Sequence, residues 1–289
     1  LLLSAAHVLC GIAFRGDIGK QHYPRSAFSM TFFCIWIWTF IVSQLSLTPA
    51  RKAMVIAGAL IVAATWIYLV LLRPTDWHSV AGSTEALVTL SGYLIGAALL
   101  LAGTVPALPA RTIAIIPVAL VLNIVVGEII GSIGIPLYID SVGTILVAAL
   151  AGPIAGLATG TLSSVVWGLL NPAALPFAAV SAATGFLSGF VIKKGAFTKV
   201  WWVIFSGAVI GIVSGMLAAP VAAFVYGGTA GLGTGAVVSL FRELGNSLIA
   251  SVTLQSFISD PLDKALVFLI VWAAVKALPQ RTRESLQPR

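Results

Sequence analysis

The sequence predicts an all-helical integral membrane protein, and three observations carry that prediction. The 289 residues are 59% hydrophobic and only 9% charged, with a mean hydropathy of +1.07. A soluble domain carries about 25% charged residues, because its surface must be solvated by water. Apolar runs near the roughly 20 residues that span a bilayer recur along the chain. The lysines and arginines between those runs fall mostly on one side when the runs are threaded alternately.

Before residue 106 the runs are 1–14 (short), 27–47, 53–72 and 84–105, which gives three or four N-terminal spans. The break Pro106-Ala-Leu-Pro-Ala-Arg111 separates them from six more: 112–130, 139–151, 153–170, 174–192, 200–224 and 262–278. The run 139–151 is shorter than a span requires. Residues 237–258 are apolar but carry Arg242, Glu243, Asn246 and Gln255, and read as a membrane-dipping or amphipathic excursion. Three parts follow: an N-terminal extension (1–106), a six-helix unit (107–280) and a basic tail (281–289). The extension is richer in bulky residues such as Trp36, Trp38 and Trp66 and reads as a peripheral module.

Lys and Arg accumulate on the cytoplasmic side of membrane proteins. With the C-terminus inside, Arg51, Lys52, Arg111, Lys193, Lys194, Lys199, Lys276, Arg281, Arg283 and Arg289 are cytoplasmic. Every acidic residue except Glu284 then falls on or near the outer face. The loop 15–25, with three basic residues, disagrees and leaves the first short run's orientation open. The missing initial Met predicts a natural start upstream, and no cleavable signal peptide is evident.

Small residues at four-residue spacing form three rows: Gly152, Gly156, Gly160; Ser181, Gly185, Gly189; and Gly207, Gly211, Gly215. Such rows let helix backbones approach closely, where no hydrophobic effect acts between helices. They predict a compact bundle from residue 112 onward.

Polar groups in apolar spans are costly and are functional suspects by default. The threading gathers them at the outer level: Asn123, Glu128, Tyr138, Asp140, Trp167, Asn171, Phe177, Tyr226, Arg242, Asn246, Gln255 and Asp260. A few polar groups on aromatic walls make a small-ligand site, so these twelve are the candidate binding residues. Each also has a plainer reading. Glu128 and Asp140 suit headgroup-level acids, Arg242 and Glu243 suit mutual or neighbouring ion pairs, and Trp167 suits an interfacial anchor. Asp260-Pro-Leu-Asp263 reads first as a helix start, with Asp260 as N-cap and Pro261 at the first helical position. The glycine-rich stretch 227–235 reads as a mobile outer lid.

Covalent chemistry finds no support. Cys10 and Cys34 lie in apolar runs without ligand spacing, and His7, His22 and His78 are scattered, so neither metal nor cofactor is expected. The basic charge of +7 is a membrane signature and not a nucleic-acid face. Residues 227–235 lack the Lys-Ser/Thr pair of a phosphate-binding loop, and ATP chemistry would have to come from a partner.

The stretch from Asn123 to Lys276 resembles the substrate-binding S components of energy-coupling factor (ECF) vitamin transporters. The residues that carry this are IGIPLYIDSVGTILVAALAGPIAGLATGTLSSVVWGLL (133–170), NPAALPFAAVSAATGFLSG (171–189) and SDPLDKALVFLIVWAAVKALP (259–279). The resemblance implies a non-enzymatic, multi-pass subunit of the bacterial cytoplasmic membrane that captures a vitamin or related micronutrient outside. Its implied partners are a transmembrane coupling protein and two ATP-binding subunits. Ala110 and Ala114 match the Ala-xxx-Ala pattern that S components present to the coupling protein. The N-terminal extension departs from the family and complicates the toppling motion attributed to it. Two other classes remain: a membrane sensor, which the short tail after Leu278 disfavours, and a stand-alone secondary transporter. The latter often shows inverted repeats and mid-membrane charges, neither of which is clear here.

Overall fold

The computed structural model describes residues 47–74, 83–228 and 231–286, and all its regular elements are helices. The expected runs 1–14 and most of 27–47, the 15–25 loop, both cysteines and all three histidines lie outside the described residues. The helices are α1 (Pro49–Leu72), α2 (Thr84–Thr104), α3 (Ala110–Ile133), α4 (Val142–Ala151) and α5 (Pro153–Leu170). They continue as α6 (Ala178–Val191), α7 (Val200–Phe224), α8 (Leu232–Glu243), α9 (Leu248–Ala277) and α10 (Gln280–Leu286). Short 3-10 turns precede α3 and α6. Among the described residues six helices are long and apolar enough to cross a membrane: α1, α2, α3, α5, α6 with its flanking turns, and α7. Their outward faces are stripes of exposed apolar side chains, such as Val118, Val121, Val125 and Ile129 on α3. This is the surface a lipid-embedded bundle needs. The chain is a multi-pass membrane protein.

The glycine rows are helix contacts. A Cβ on Gly156 would lie 2.4 Å from the Gly185 carbonyl oxygen, and one on Gly160 2.2 Å from that of Ser181, so α5 and α6 touch backbone to backbone. The third row does the same for α7 against α9. Gly207 abuts Ala265, Gly211 abuts Asp260 and Pro261, and Gly215 abuts Ser256 and the Asp260 carboxyl. Ascending positions on one helix meet descending ones on the other, so α9 runs antiparallel along α7.

That packing corrects the expected start of the last helix. Residues 248–258 are not part of an excursion: α9 begins at Leu248, where the Ser247 hydroxyl accepts from Ala250 N–H, and runs unbroken for 30 residues. Asp260 is therefore no N-cap, and Pro261 stands inside the helix. A proline removes one backbone donor and frees one carbonyl, a defect that membrane helices tolerate where neighbours pack around it. Here Gly211 supplies the space beside it. Its four charged residues, Asp260, Asp263, Lys264 and Lys276, deprive α9 of a uniformly apolar stretch, but the first three are buried in the bundle. The glycine-rich stretch is corrected too: residues 232–235 are the first turn of α8.

α4 has only 10 residues, about 15 Å of helix, half of what a bilayer core needs. The reason is where it begins. The connector 134–141 leaves the end of α3 and returns into the bundle, so that α4 starts near mid-depth. Asn123, in the middle of α3, fixes that start. Its Oδ1 accepts from Gly143 N–H at 2.7 Å and Thr144 N–H at 3.4 Å, and its Nδ2 donates to Thr144 and Ser163. A side chain of one helix thus satisfies the otherwise unpaired first-turn donors of another.

α1 and α2 form an antiparallel hairpin, with Gly58 against Gly96 and Leu100, and Gly92 against Thr65. Trp66 Nε1 donates to Leu217 O in α7, and Tyr93 Oη donates to Pro176 O. Residues 47–286 accordingly form one compact unit. The expected boundary near residue 106 coincides with a turn, Val105–Ala107, and not with a gap in packing.

One half of this unit is solid. Ile145, Val203, Ile210, Val267, Phe268 and Val271 form one apolar cluster, and Ile116, Ala119, Leu120, Val147 and Ala155 another. Arg51, Lys52, Arg111, Lys193, Lys194, Lys199, Lys276 and Arg281 sit at helix ends on that side of the unit, which we call the basic end.

Candidate functional site

The opposite half has a smaller apolar cluster, Ala219, Ala222, Ala223, Val238 and Val252, and beside it a cavity. The cavity, of about 140 Å³, lies between the connector and α5, α6, α7 and α9. Its walls come from antiparallel helices, each contributing the half that lies away from the basic end. Ser164, Trp167 and Asn171 come from α5, Phe177, Ser181 and Thr184 from α6 and the turn before it, and Ser214 from α7. The connector brings Tyr138, Asp140 and Ser141, and mid-α9 brings Ser256, Asp260 and Lys264.

Seen from the mouth, the site is first aromatic. The Trp167 indole packs over Gly127, where an added Cβ would lie 2.4 Å from the ring. Its Nε1 donates to Glu128 Oε1 at 2.6 Å, and Asn171 Nδ2 donates to the same oxygen at 3.1 Å. Glu128 is itself exposed and holds two lining residues in place without lining the cavity. Phe177 stacks on Tyr226, with centroids 5.7 Å apart and planes at 8°. Tyr226 is buried, and its hydroxyl donates to Ala173 O at 2.7 Å, so it backs the wall. Removal from water holds its phenol above the ordinary range.

Deeper in, hydroxyl pairs line the walls: Ser164 with Ser181, and Thr184 with Ser214, each at 2.8 Å. The floor is ionic. Lys264 Nζ lies 3.2 Å from Asp140 Oδ1 and also pairs with Asp263. Asp263 is fully buried, and its Oδ1 accepts from the N–H groups of Tyr138 (3.2 Å) and Ile139 (2.6 Å). Non-helical backbone at membrane depth survives only inside protein or beside a cavity, and this carboxylate supplies what the connector's amides need. Ile139 has φ +47°, a left-handed conformation uncommon for a β-branched residue. Tyr138 donates from its hydroxyl to Thr234 at 3.2 Å, tying the connector to α8.

Of the twelve candidates, Tyr138, Asp140, Trp167, Asn171, Phe177 and Asp260 line the cavity. Asn123, Glu128 and Tyr226 support it from behind. Arg242 and Asn246 do not reach it: both are exposed at the end of α8, where Asn246 Nδ2 donates to Phe241 O. Gln255 is buried in α9, with Nε2 unpartnered, outside the lining. Ala110 and Ala114 are exposed at the basic end, away from the cavity. Lys264, Thr184 and Ser214 were not anticipated in the site. The i, i+4 spacing of Ser256, Asp260 and Lys264 would have revealed one polar face, had the helix been traced upstream of Pro261.

The arrangement can bind a molecule of about one ring's size between aromatic walls and hydrogen-bond it from below. Among the described residues no group of three or more His, Cys, Asp or Glu could hold a metal ion. Comparison of the chain with protein-family models, with curated proteins and with solved structures finds no match.

Proposed function

We propose that this chain is the substrate-capture subunit of an ATP-driven importer of the energy-coupling factor type, binding a small water-soluble micronutrient. The observation that carries the reading is the polarity of the unit: a cavity with aromatic walls and a polar floor in one half, an apolar core and basic rim in the other. By the positive-inside rule the basic end is cytoplasmic, so the cavity opens to the outside. Trp167 and Phe177 sandwich the ligand, while Asn171, the paired hydroxyls and Tyr138 orient it. Affinity then comes from placed hydrogen bonds in a site already formed. The exposed face of Ala110 and Ala114 at the basic end suits contact with a coupling protein, and ATP hydrolysis belongs to partner subunits.

The test is purification of a tagged chain from its natural host in mild detergent. Co-isolation of a membrane coupling protein with two ATPases, and of a small molecule identified by mass spectrometry, is the expected result. A chain that purifies alone and empty from nutrient-replete cells would remove the proposal.

The ionic floor favours a second reading, a stand-alone secondary transporter, because charges within the membrane commonly mark coupled ion pathways. Uptake into liposomes by the purified chain under an ion gradient, without ATP, would select it.

A further inference from the structure

We infer that the ligand of this cavity carries a cationic nitrogen on a body of single-ring size, with Asp260 as its anionic anchor; the inference rests on the capture-site reading above. The floor holds four ionisable side chains, and their hydrogen bonds are unequally used. Asp263 is spent: Oδ1 holds two backbone N–H groups, and Oδ2 holds Lys264. Asp140 is paired with Lys264. Lys264, 6% exposed, is therefore held between two carboxylates.

Asp260 is different. It lines the cavity, is only 4% exposed, and its Oδ2 has no hydrogen-bond partner. That oxygen is itself closed off, packed against Gly215 of α7, where a Cβ would come within 2.6 Å of it, so the carboxyl meets the cavity through its other atoms. Ser256, one turn earlier on α9 and on the same lining face, hydrogen-bonds the Asp260 carboxyl, so the group lacks a dedicated counter-charge and not every donor. Three carboxylates thus share one ammonium, and Lys264 is the one cation among the lining residues. The bare anion of a buried carboxyl is far more disfavoured than a neutral polar group, and the group is relieved either by a proton or by a cation beside it. A cation delivered through the cavity compensates it; an anionic ligand makes the imbalance worse.

The remaining walls agree with this choice. Trp167 and Phe177 present aromatic rings, whose faces attract cations. The cavity's 140 Å³ is close to the engineered void of about 150 Å³ that accepts benzene. A protonated amine or amidine on one ring meets both limits.

Three isosteric probes test this on the purified full-length chain by isothermal titration: benzylammonium, benzyl alcohol and benzoate. The expected order is benzylammonium first, by about tenfold over the alcohol, with benzoate last; a close ion pair in a partly solvated site retains roughly that much after desolvation. Asp260→Asn, which keeps the shape, should bring benzylammonium within about twofold of the alcohol. Benzoate equalling or exceeding benzylammonium on the native chain overturns the inference, as does an unchanged preference in Asp260→Asn. The native order decides the matter if that variant does not fold. Trp167→Ala serves the capture-site reading separately, because it should weaken all three probes. If that change leaves binding untouched, or no probe binds at millimolar concentration, the capture site itself is wrong. If Trp167→Ala weakens all three while their order is flat or reversed, only the charge assignment fails.

Discussion

Asp263→Ala is the most telling single substitution, because three donors depend on one fully buried side chain. The change strands the N–H groups of Tyr138 and Ile139 and leaves Lys264 paired with Asp140 alone of the two carboxylates that held it. Each orphaned buried donor costs about 1–3 kcal/mol. Breaking a buried ion pair from one side costs about 3–5 kcal/mol. The contributions overlap, since connector and lysine relax together, and Ile139 can then leave its left-handed φ, which returns of order 1 kcal/mol. A net loss of about 3–5 kcal/mol remains, a fall of the melting temperature on the order of 10 °C. Asp263→Asn keeps an acceptor for the connector but faces the ammonium with a neutral amide, so it should fall between. Asp260→Asn removes a carboxylate that has an unpartnered oxygen and should leave stability unchanged or improved. Differential scanning fluorimetry in detergent ranks the three. The reasoning is refuted if Asp260→Asn loses as much as Asp263→Ala, or if Asp263→Ala melts within about 2 °C of the native chain.

Three further outcomes follow from the same contacts. Gly211→Ala drives a methyl group to within 2.2 Å of the Asp260 carbonyl oxygen and should cost about 1–3 kcal/mol, whereas Gly131→Ala, with nothing within 4 Å, should be neutral or slightly stabilising in the same thermal assay. Asn123→Leu removes the acceptor for the first amides of α4 and should destabilise by about 2 kcal/mol, read by chemical denaturation. Single cysteines replacing Arg242 and Arg281 should label from opposite sides of sealed vesicles, because the 30-residue α9 separates them.

Much of the architecture was legible because membrane burial imposes simple rules. The runs 153–170 and 200–224 coincide with α5 and α7, and the three glycine rows mark real backbone contacts, since only small residues permit them. The candidate site was half legible. Polar residues placed on one level by alternate threading, such as Asp140, Trp167 and Asp260, do line one cavity. The failures share a cause. Asp260-Pro261 carries the local chemistry of a helix start, and only a tertiary neighbour, Gly211, lets the helix run through it. A helix that starts at residue 262 puts Asp260 at its cap and hides the polar face that Asp260 shares with Ser256, while Arg242 and Gln255 lie outside the cavity lining. The short run 139–151 was visible, but its reason was not. Nothing near it in sequence announces that Asn123 and Asp263 would hold its first residues at mid-depth.

The abbreviated α4 has one more implication. Because the chain re-enters before turning into that helix, a solute resting on Asp140 and Lys264 has already traversed the vestibule side of the protein. Beyond it toward the basic end lies the depth that α4 spans, about three helical turns or roughly 15 Å. Under the proposed import function, translocation would thereby be reduced to a short final step. Modest rearrangement around α4 could open that distance, without carrying cargo across the full width of the bilayer.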